Sequence, residues 1–334
     1  MSDVRYARIA GLGHALPKRI VTNEEMSTIV DTSDEWIRTM TGIGQRRFVG
    51  EGETTATLAT QAACEALTAA HVEPGDVDLV IVATSTPDYT VFPSTACQVQ
   101  AELELTQAGA FDLEAACSGF VYGLITATQF IATGAYNNIL VVGADTLSRF
   151  VDFEDRTTCV LFGDGAGAAL VTASDVSGGL MSFVLGADGR GGKHLIVPAG
   201  GSRRPPSAET LAAKEHAIRM NGREVYRFST TTPADALQRS AARAGVELKD
   251  LDLIVAHQAN DRILQTVAHN LALPESLFYS NVERYGNTSA ASIPLALYDA
   301  CGEGRIREGA LLGMLGFGAG LTWATTIWRW HGVG

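Results

Sequence analysis

Cys117, His257 and Asn287 are the residues whose types and settings could together carry out covalent chemistry. Cys117 lies in FDLEAACSGFVYGL, residues 111–124. There Phe111, Asp112 and Leu113 read as a short buried strand, and small residues come next. Phe120, Leu124, Ala127, Phe130 and Ile131 then recur with helical spacing. A cysteine at a strand-to-helix junction, flanked by Ala, Ser and Gly, leaves room for a substrate to reach its sulfur. The helix N-terminus would favour the thiolate through its unpaired N–H groups and partial positive charge. His257 ends an apolar run in IVAHQAND, at the strand terminus where α/β proteins place site residues. Asn287 lies in the Gly-Asn turn of YGNTSAAS, ahead of another helical pattern. Each residue also has an ordinary structural reading: a small buried hydrophobe for the cysteine, a core residue for the histidine, a cap or turn for the asparagine. As a set they supply a nucleophile, a donor or base, and a second polar donor. That set supports acyl transfer, in which thiolate attack forms a thioester and His and Asn donate to a developing oxyanion. A hydrolase with a Cys-His-Asn triad uses the same three residue types, so the residues alone leave both readings open.

The remaining candidates are weaker. His14, His71 and His216 sit in polar or turn contexts, His194 in a long loop, His269 on a helix and His331 in the tail. FGDGAGAAL, residues 162–170, superficially resembles a phosphate loop. Its AAL end continues as a strand pattern rather than a helix, so tight turn packing is the better account. GFGAGLTW, residues 316–323, comes after a strand, and its glycines let backbone N–H groups approach a ligand as oxyanion donors. The five cysteines are scattered and include no CxxC pair. Neither a zinc site nor a disulfide framework fits them, which points to a reducing cytosol.

These residues need elements to hold them, and the 334-residue chain allows two domain-sized units or one large duplicated one. Hydrophobic residues make up 46% and charged residues 19%, enough for a large core. The net charge of −12 argues against general nucleic-acid binding but permits an acidic partner on a local basic patch. The N-terminal MSDVRYARIAGLG has no apolar core of signal-peptide length. The most apolar stretch, 311–328, carries four glycines and reads as buried strands around a turn rather than a membrane span. The expectation is a soluble cytoplasmic protein.

Helices are predicted over 58–70, 93–103, 233–244, 261–271 and 293–300, and buried strands over 79–83, 139–142, 253–256 and 310–314. Strands apolar on both faces, interleaved with helices, indicate sheets covered on both sides. HVEPGDVDLVIVATS (71–85) matches GVELKDLDLIVAHQA (245–259) at an offset of 174, each after an alanine-rich helix. An offset near half the chain suggests a duplicated domain, with halves 1–174 and 175–334. Residues 186–206, rich in Gly, Pro and Arg, are the expected loop.

Together the motifs converge on a known family. The chain resembles β-ketoacyl-acyl carrier protein synthase III, the initiating condensing enzyme of type II fatty acid synthesis in the thiolase-like superfamily. The resemblance rests on TSDEWI (32–37), TGI (41–43), FPSTACQVQ (92–100), EAACSGF (114–120), FGDGAGA (162–168), HQANDRI (257–263), GNTSAAS (286–292) and GFGAGLTW (316–323). It implies a five-layered αβαβα fold built from two duplicated halves, a homodimer, and no cofactor or metal, acyl-CoA being a substrate. Cys117 would take the acyl group from a short acyl-CoA. Malonyl-acyl carrier protein would then bind and lose CO₂, and its carbanion would attack the Cys117 thioester. His257 and Asn287 match the pair that hydrogen-bonds the malonyl thioester carbonyl. The backbone N–H groups of Cys117 and Ala319 would form the oxyanion hole for acylation.

The resemblance also implies that Trp36 and Arg156 sandwich the CoA adenine. Phe92 would close the acyl pocket from the partner subunit, with Tyr226 also at that pocket. Arg262 and Arg227 would contact the acidic carrier protein. Three departures from the pattern involve four positions. Met40 replaces an arginine near the CoA phosphates, for which Arg38 is the nearest substitute. His269 and Asn270 replace lysines on the carrier-docking helix, and Tyr226 replaces a phenylalanine along the tunnel. An elongating synthase would have histidine in place of Asn287, and a thiolase a second cysteine near the C-terminus. A related acyltransferase or synthase of specialised metabolism is the alternative, and a Cys-His-Asn thioester hydrolase a more distant one.

Overall fold

The computed structural model describes residues 5–332. The outer ends of the two expected halves, and the first four residues of the segment read for a targeting signal, lie outside that range. Two five-stranded mixed sheets form the frame. In chain order the first contains β1 (Tyr6–Ala15), β2 (Leu79–Ala83), β3 (Gly109–Leu113), β4 (Asn138–Thr146) and β5 (Asp164–Ser174). The second contains β6 (Gly179–Ala187), β7 (Leu253–Ala256), β8 (Phe278–Tyr279), β9 (Leu311–Gly318) and β10 (Thr322–Arg329). The strand order is β1-β5-β4-β2-β3 in the first sheet and β6-β10-β9-β7-β8 in the second. The second order repeats the first, strand for counterpart strand. In both sheets the first two pairings are antiparallel and the last two parallel. The strands predicted from the repeat, β2 and β7, occupy equivalent places.

Apolar faces dictate the layering. The alanine-rich helix Thr55–Ala70, closed at its start by a capping box of Thr54 and Thr57, packs with Thr95–Glu102 on the outer face of the first sheet. Helices Gly222–Ala244 and Asp261–Asn270 cover the outer face of the second. Between the sheets lie Gly119–Ala132 and Ser292–Gly302. Their Phe120, Leu124, Ile293 and Leu297 share one core with Ile81 and Val141 of the first sheet and Val255 and Met314 of the second. The result is the five-layered αβαβα arrangement that the resemblance implies.

The structure corrects three readings of the sequence. The apolar pattern of 111–113 predicts a buried strand, but β3 pairs on one side only, with β2, and Phe111 is 36% exposed. The helix predicted to begin at Pro233 begins at Gly222, capped by Asn221, and runs through the proline. Pro233 cannot donate to the Ser229 carbonyl one turn back, and Asn270 Nδ2 donates to the adjacent Thr230 carbonyl at 2.9 Å. The buried face from Phe228 to Ala241 keeps the helix in place. The expected loop 186–206 contains a short strand, Leu195–Ile196, that pairs with Arg219–Met220.

The central helices come close to the sheets where side chains are smallest. A Cβ on Gly143 of β4 would lie 2.2 Å from the Ala290 carbonyl oxygen, an approach only glycine allows. Gly143→Ala is expected to destabilise the protein by about 1–3 kcal/mol through overpacking. Urea unfolding of variant and wild type would show this as a lower midpoint, and an unchanged midpoint would contradict the packing described.

Candidate active site

Two turns of the same design meet where the central helices begin. After β3, Ala116 adopts φ +46°, and its N–H is held by Glu114 Oε1 at 3.0 Å. The turn Ala116–Ser118 then leads into Gly119–Ala132 and places Cys117 at its apex. In the other half Ser289 adopts φ +51°, and its N–H is held by Asn287 Oδ1 at 2.9 Å. The turn Ser289–Ala291 leads into Ser292–Gly302. His257 comes directly after β7, its backbone N–H bonded to the Leu315 carbonyl at 2.8 Å and its ring edge-on to Phe317 at 5.1 Å. The β9–β10 turn passes against the nucleophile: a Cβ on Gly318 would lie 2.7 Å from Cys117 N.

Cys117, His257 and Asn287 line one cavity of about 550 Å³, together with Trp36, Tyr226 and Arg262. A second cavity of about 420 Å³ lies on the other side of Cys117, bounded by Leu147, Phe162, Ile218, Ser289 and Ala319. Cys117 therefore faces two chambers. The three chemical residues are almost fully enclosed, with exposures of 7% for Cys117, 2% for His257 and 7% for Asn287.

The other expected residues divide. Trp36 stands at the cavity wall with the Arg156 guanidinium 4.9 Å over its ring, and Arg156 also donates to the Asp31 carbonyl at 2.9 Å. Arg262 lines the same cavity and contacts Met40 Sδ at 3.5 Å. Arg38 does not substitute for an arginine at Met40, because its guanidinium is paired with Asp34 at 2.8 Å and Glu283 at 2.7 Å. Arg227 points outward and is paired with Glu224. Tyr226, expected at the acyl pocket, lines the first cavity instead. It projects from the outer helix pair, where its hydroxyl meets Thr266 Oγ1 at 2.7 Å. Phe92 lines neither cavity of its own chain and is 80% exposed. Sequence reasoning does not single out Ser289, whose hydroxyl accepts from Cys117 Sγ at 3.4 Å, or the buried Asp145 behind it. Ser289 lies two residues past Asn287 in the GNTSAAS motif, whereas Asp145 carries no local signal. Among the described residues no cluster of three or more His, Cys, Asp or Glu could hold a metal ion.

Burial governs the electrostatics. It pushes the Cys117 thiol up to about 12; the Ser289 hydrogen bond opposes the shift and the Asp145 and Glu114 charges add to it. The helix N-terminus by itself favours a resting thiolate, but desolvation and two nearby acids outweigh it, and the resting residue is a thiol. Burial alone pushes His257 down to about 3, so the imidazole is neutral and keeps a single N–H to donate. Its Nδ1 is buried with no hydrogen-bond partner in the described structure. A depressed histidine pKa has a definite sign: the unfolded chain gains a proton below pH 6.5 that the native ring refuses until about 3. Stability should therefore fall as pH drops through that window. Thermal melts of His257→Asn and wild type are expected to show the variant gaining on wild type at pH 5 relative to pH 7.5. An equal difference at both pH values would contradict a buried neutral ring.

The family profile for 3-oxoacyl-[acyl-carrier-protein] synthase III matches residues 111–189, and that for its C-terminal part matches 241–330. A β-ketoacyl-[acyl-carrier-protein] synthase III from Caldanaerobacter subterraneus subsp. tengcongensis is 48% identical over 324 residues, which cover 97% of this chain and 98% of the relative. The crystal structure of 3-oxoacyl-[acyl-carrier-protein] synthase III from Aquifex aeolicus VF5 superposes with a TM-score of 0.90 at 44% identity, covering 97% of this chain and all (100%) of that one. The priming β-ketosynthase of the R1128 polyketide biosynthetic pathway superposes with a TM-score of 0.92 at 34% identity, covering 100% of this chain and 99% of that one. Sharing nearly half its residues with such a relative along almost its whole length, the chain belongs to the β-ketoacyl-[acyl-carrier-protein] synthase III family.

Proposed function

We propose that the paired cavities are the active site of an initiating condensing enzyme that joins an acyl-CoA to malonyl-acyl carrier protein, with Cys117 as the acyl carrier. The observation that carries this reading is that Cys117, His257 and Asn287 converge on one cavity while Cys117 also faces the second. The first cavity admits the thioester arm. The Cys117 sulfur attacks the acyl carbonyl, and the N–H groups of Cys117 and Ala319 receive the tetrahedral oxyanion as CoA departs. The acyl chain then lies in the second cavity. Malonyl-acyl carrier protein enters next through the first, and its thioester oxygen meets His257 and Asn287. A neutral imidazole suits this task, since it donates a hydrogen bond without giving up its proton. Loss of CO₂ leaves a carbanion whose charge those donors share, and the carbanion attacks the Cys117 thioester to give the 3-ketoacyl product.

The remaining assignments fit the same frame. Trp36 and Arg156 form the cation–π pair for the CoA adenine. Arg262, which has no acidic partner among the described residues, is the stronger carrier-protein contact, and Arg227 the weaker because Glu224 already pairs with it. Asn270 is committed to the Thr230 carbonyl and adds no charge to that patch. The open edge of β3 and exposed Val91 and Phe92 suit a second copy of the chain, into whose acyl cavity Phe92 would reach. The halves divide between β5 and β6, at residues 174 and 175. No cofactor is invoked, acyl-CoA being consumed as substrate, and the protein is assigned to the cytoplasm. Among the described residues no helix is long and apolar enough to cross a membrane. Likeness to a priming ketosynthase of polyketide synthesis supports a second reading, priming for a dedicated pathway by the same chemistry.

Intact-protein mass spectrometry tests the assignment. Incubation with a panel of acyl-CoAs should add one acyl group at Cys117, lost as 3-ketoacyl-carrier protein forms. Cys117→Ala should take no acyl group while retaining the fold. Asn287→Ala should still acylate, but its condensation should slow by about 10²–10³-fold for the missing oxyanion donor. An adduct lost only to water would indicate a hydrolase, and condensation at the wild-type rate by Cys117→Ala would remove the proposed nucleophile.

A further inference from the structure

The proton of a buried thiol must go somewhere before the sulfur can attack. Cys117 Sγ donates to Ser289 Oγ at 3.4 Å, and the neighbouring Ala290 N–H donates to the Asp145 carboxylate at 3.1 Å, so the Ser289 hydroxyl stands between the thiol and that acid and opposes the effect of burial on it. Asp145 is fully buried near the end of β4 and makes no ion pair among the described residues. It is ringed instead by donors: Thr84 Oγ1 at 3.1 Å, the Ser85 N–H at 2.8 Å, Thr86 Oγ1 at 2.9 Å and the Ala290 N–H at 3.1 Å. A buried carboxylate with no cation beside it is a ready proton acceptor, and burial shifts Asp145 in that direction. The other titratable groups facing Cys117 are placed differently. His257 approaches from the first cavity, and Glu114, which lines the second cavity with Cys117 and is pushed up to about 7 by burial, holds the Ala116 N–H.

We propose that Ser289 and Asp145 form a proton relay for Cys117, with Asp145 storing the thiol proton between the two half-reactions. This rests on the reading of Cys117 as the acyl carrier. As the sulfur attacks the acyl-CoA carbonyl, its S–H bond breaks and an S–C bond forms. The proton passes to Ser289 Oγ while the Ser289 proton passes to the Asp145 carboxylate. The departing CoA thiolate takes one proton from solvent. In the second half-reaction the carbanion attacks the thioester, the C–S bond to Cys117 breaks, and the sulfur recovers its proton along the same path. One solvent proton is consumed per turnover, and the malonyl charge leaves the balance as CO₂ is lost. Storage has an electrostatic consequence. While the enolate develops, Asp145 is neutral, so no second buried negative charge opposes it.

The fold supplies a clean variant. Ala116 holds at φ +46° the conformation that Ser289 holds at +51°, so alanine is tolerated in such a turn and Ser289→Ala removes only the hydroxyl. The test measures the burst of CoA release from whichever acyl-CoA of the panel acylates wild type fastest, and iodoacetamide alkylation of Cys117, from about pH 6 to pH 10 in wild type, Ser289→Ala and Asp145→Asn. With the relay broken, the burst at pH 7 should fall by about tenfold or more, and the deficit should shrink as hydroxide takes over at high pH. A Ser289→Ala enzyme with the wild-type burst and pH profile overturns the relay, even if Asp145→Asn fails to fold. A deficit of equal size at every pH also overturns it, because loss of positioning would not depend on proton availability. A wild-type protein that takes no acyl group at all overturns the proposed function itself, an outcome distinct from the other two.

Discussion

Everything at the proposed centre depends on two strained turns meeting across the seam between the duplicated halves. Ala116 and Ser289 both occupy the left-handed region, and each is pinned by the side chain two residues before it, Glu114 in one half and Asn287 in the other. Positive φ is costly for residues with a Cβ, so such turns persist only where their surroundings enforce them. The enforcement comes from close approach. Gly143 lies under the Ala290 carbonyl, and Gly318 lies against the Cys117 backbone. Replacing small residues there would move the nucleophile relative to its donors.

The same enclosure sets the chemistry. Removing water from around Cys117, His257 and Asp145 leaves a thiol that holds its proton, an imidazole that stays neutral, and a carboxylate stabilised by donors rather than by a cation. Cys117 and His257 keep the neutral states that cost least in a poorly solvated site, hydrogen-bond donors oppose the effect of burial on Asp145, and the proposed reaction uses this arrangement. A neutral histidine donates to a developing enolate without competing for its proton. In the proposed reaction the thiol passes its proton on, and the proposed relay gives the buried acid that role. Burial of these groups is therefore part of the proposed reaction as well as of the fold.

The outer surface reflects a different compromise. An acidic chain that receives an acidic carrier needs local rather than global complementarity. Arg262 sits at the cavity mouth without an acidic partner among the described residues, whereas Arg38 and Arg227 are engaged by neighbouring carboxylates. The basic surface offered to a partner is smaller than a count of arginines suggests. β3 leaves one edge of the first sheet open beside exposed apolar side chains, which favours covering by a second chain.

Most of the elements and much of the site are legible in the amino-acid sequence. β2 and β7 can be read to the residue because buried strands are short apolar runs bounded by polar residues, and their repeat reveals the duplication. Cys117, His257 and Asn287 stand out because each lies at the end or start of such an element. Contacts between distant segments leave no such trace. Pro233 reads as a helix start locally, yet the tertiary burial of the face from Phe228 to Ala241 carries the helix through it. Tyr226 resembles a residue of the acyl pocket and tunnel, and only the folded chain shows which cavity it lines, the one shared by Cys117, His257 and Asn287. The thiol state of Cys117 reverses the local expectation from its helix N-terminus, because Asp145 and the surrounding core arrive from elsewhere in the chain. Local sequence encodes backbone periodicity and residue chemistry, whereas desolvation and the pairing of Cys117 with Ser289 exist only once the two halves have closed on each other.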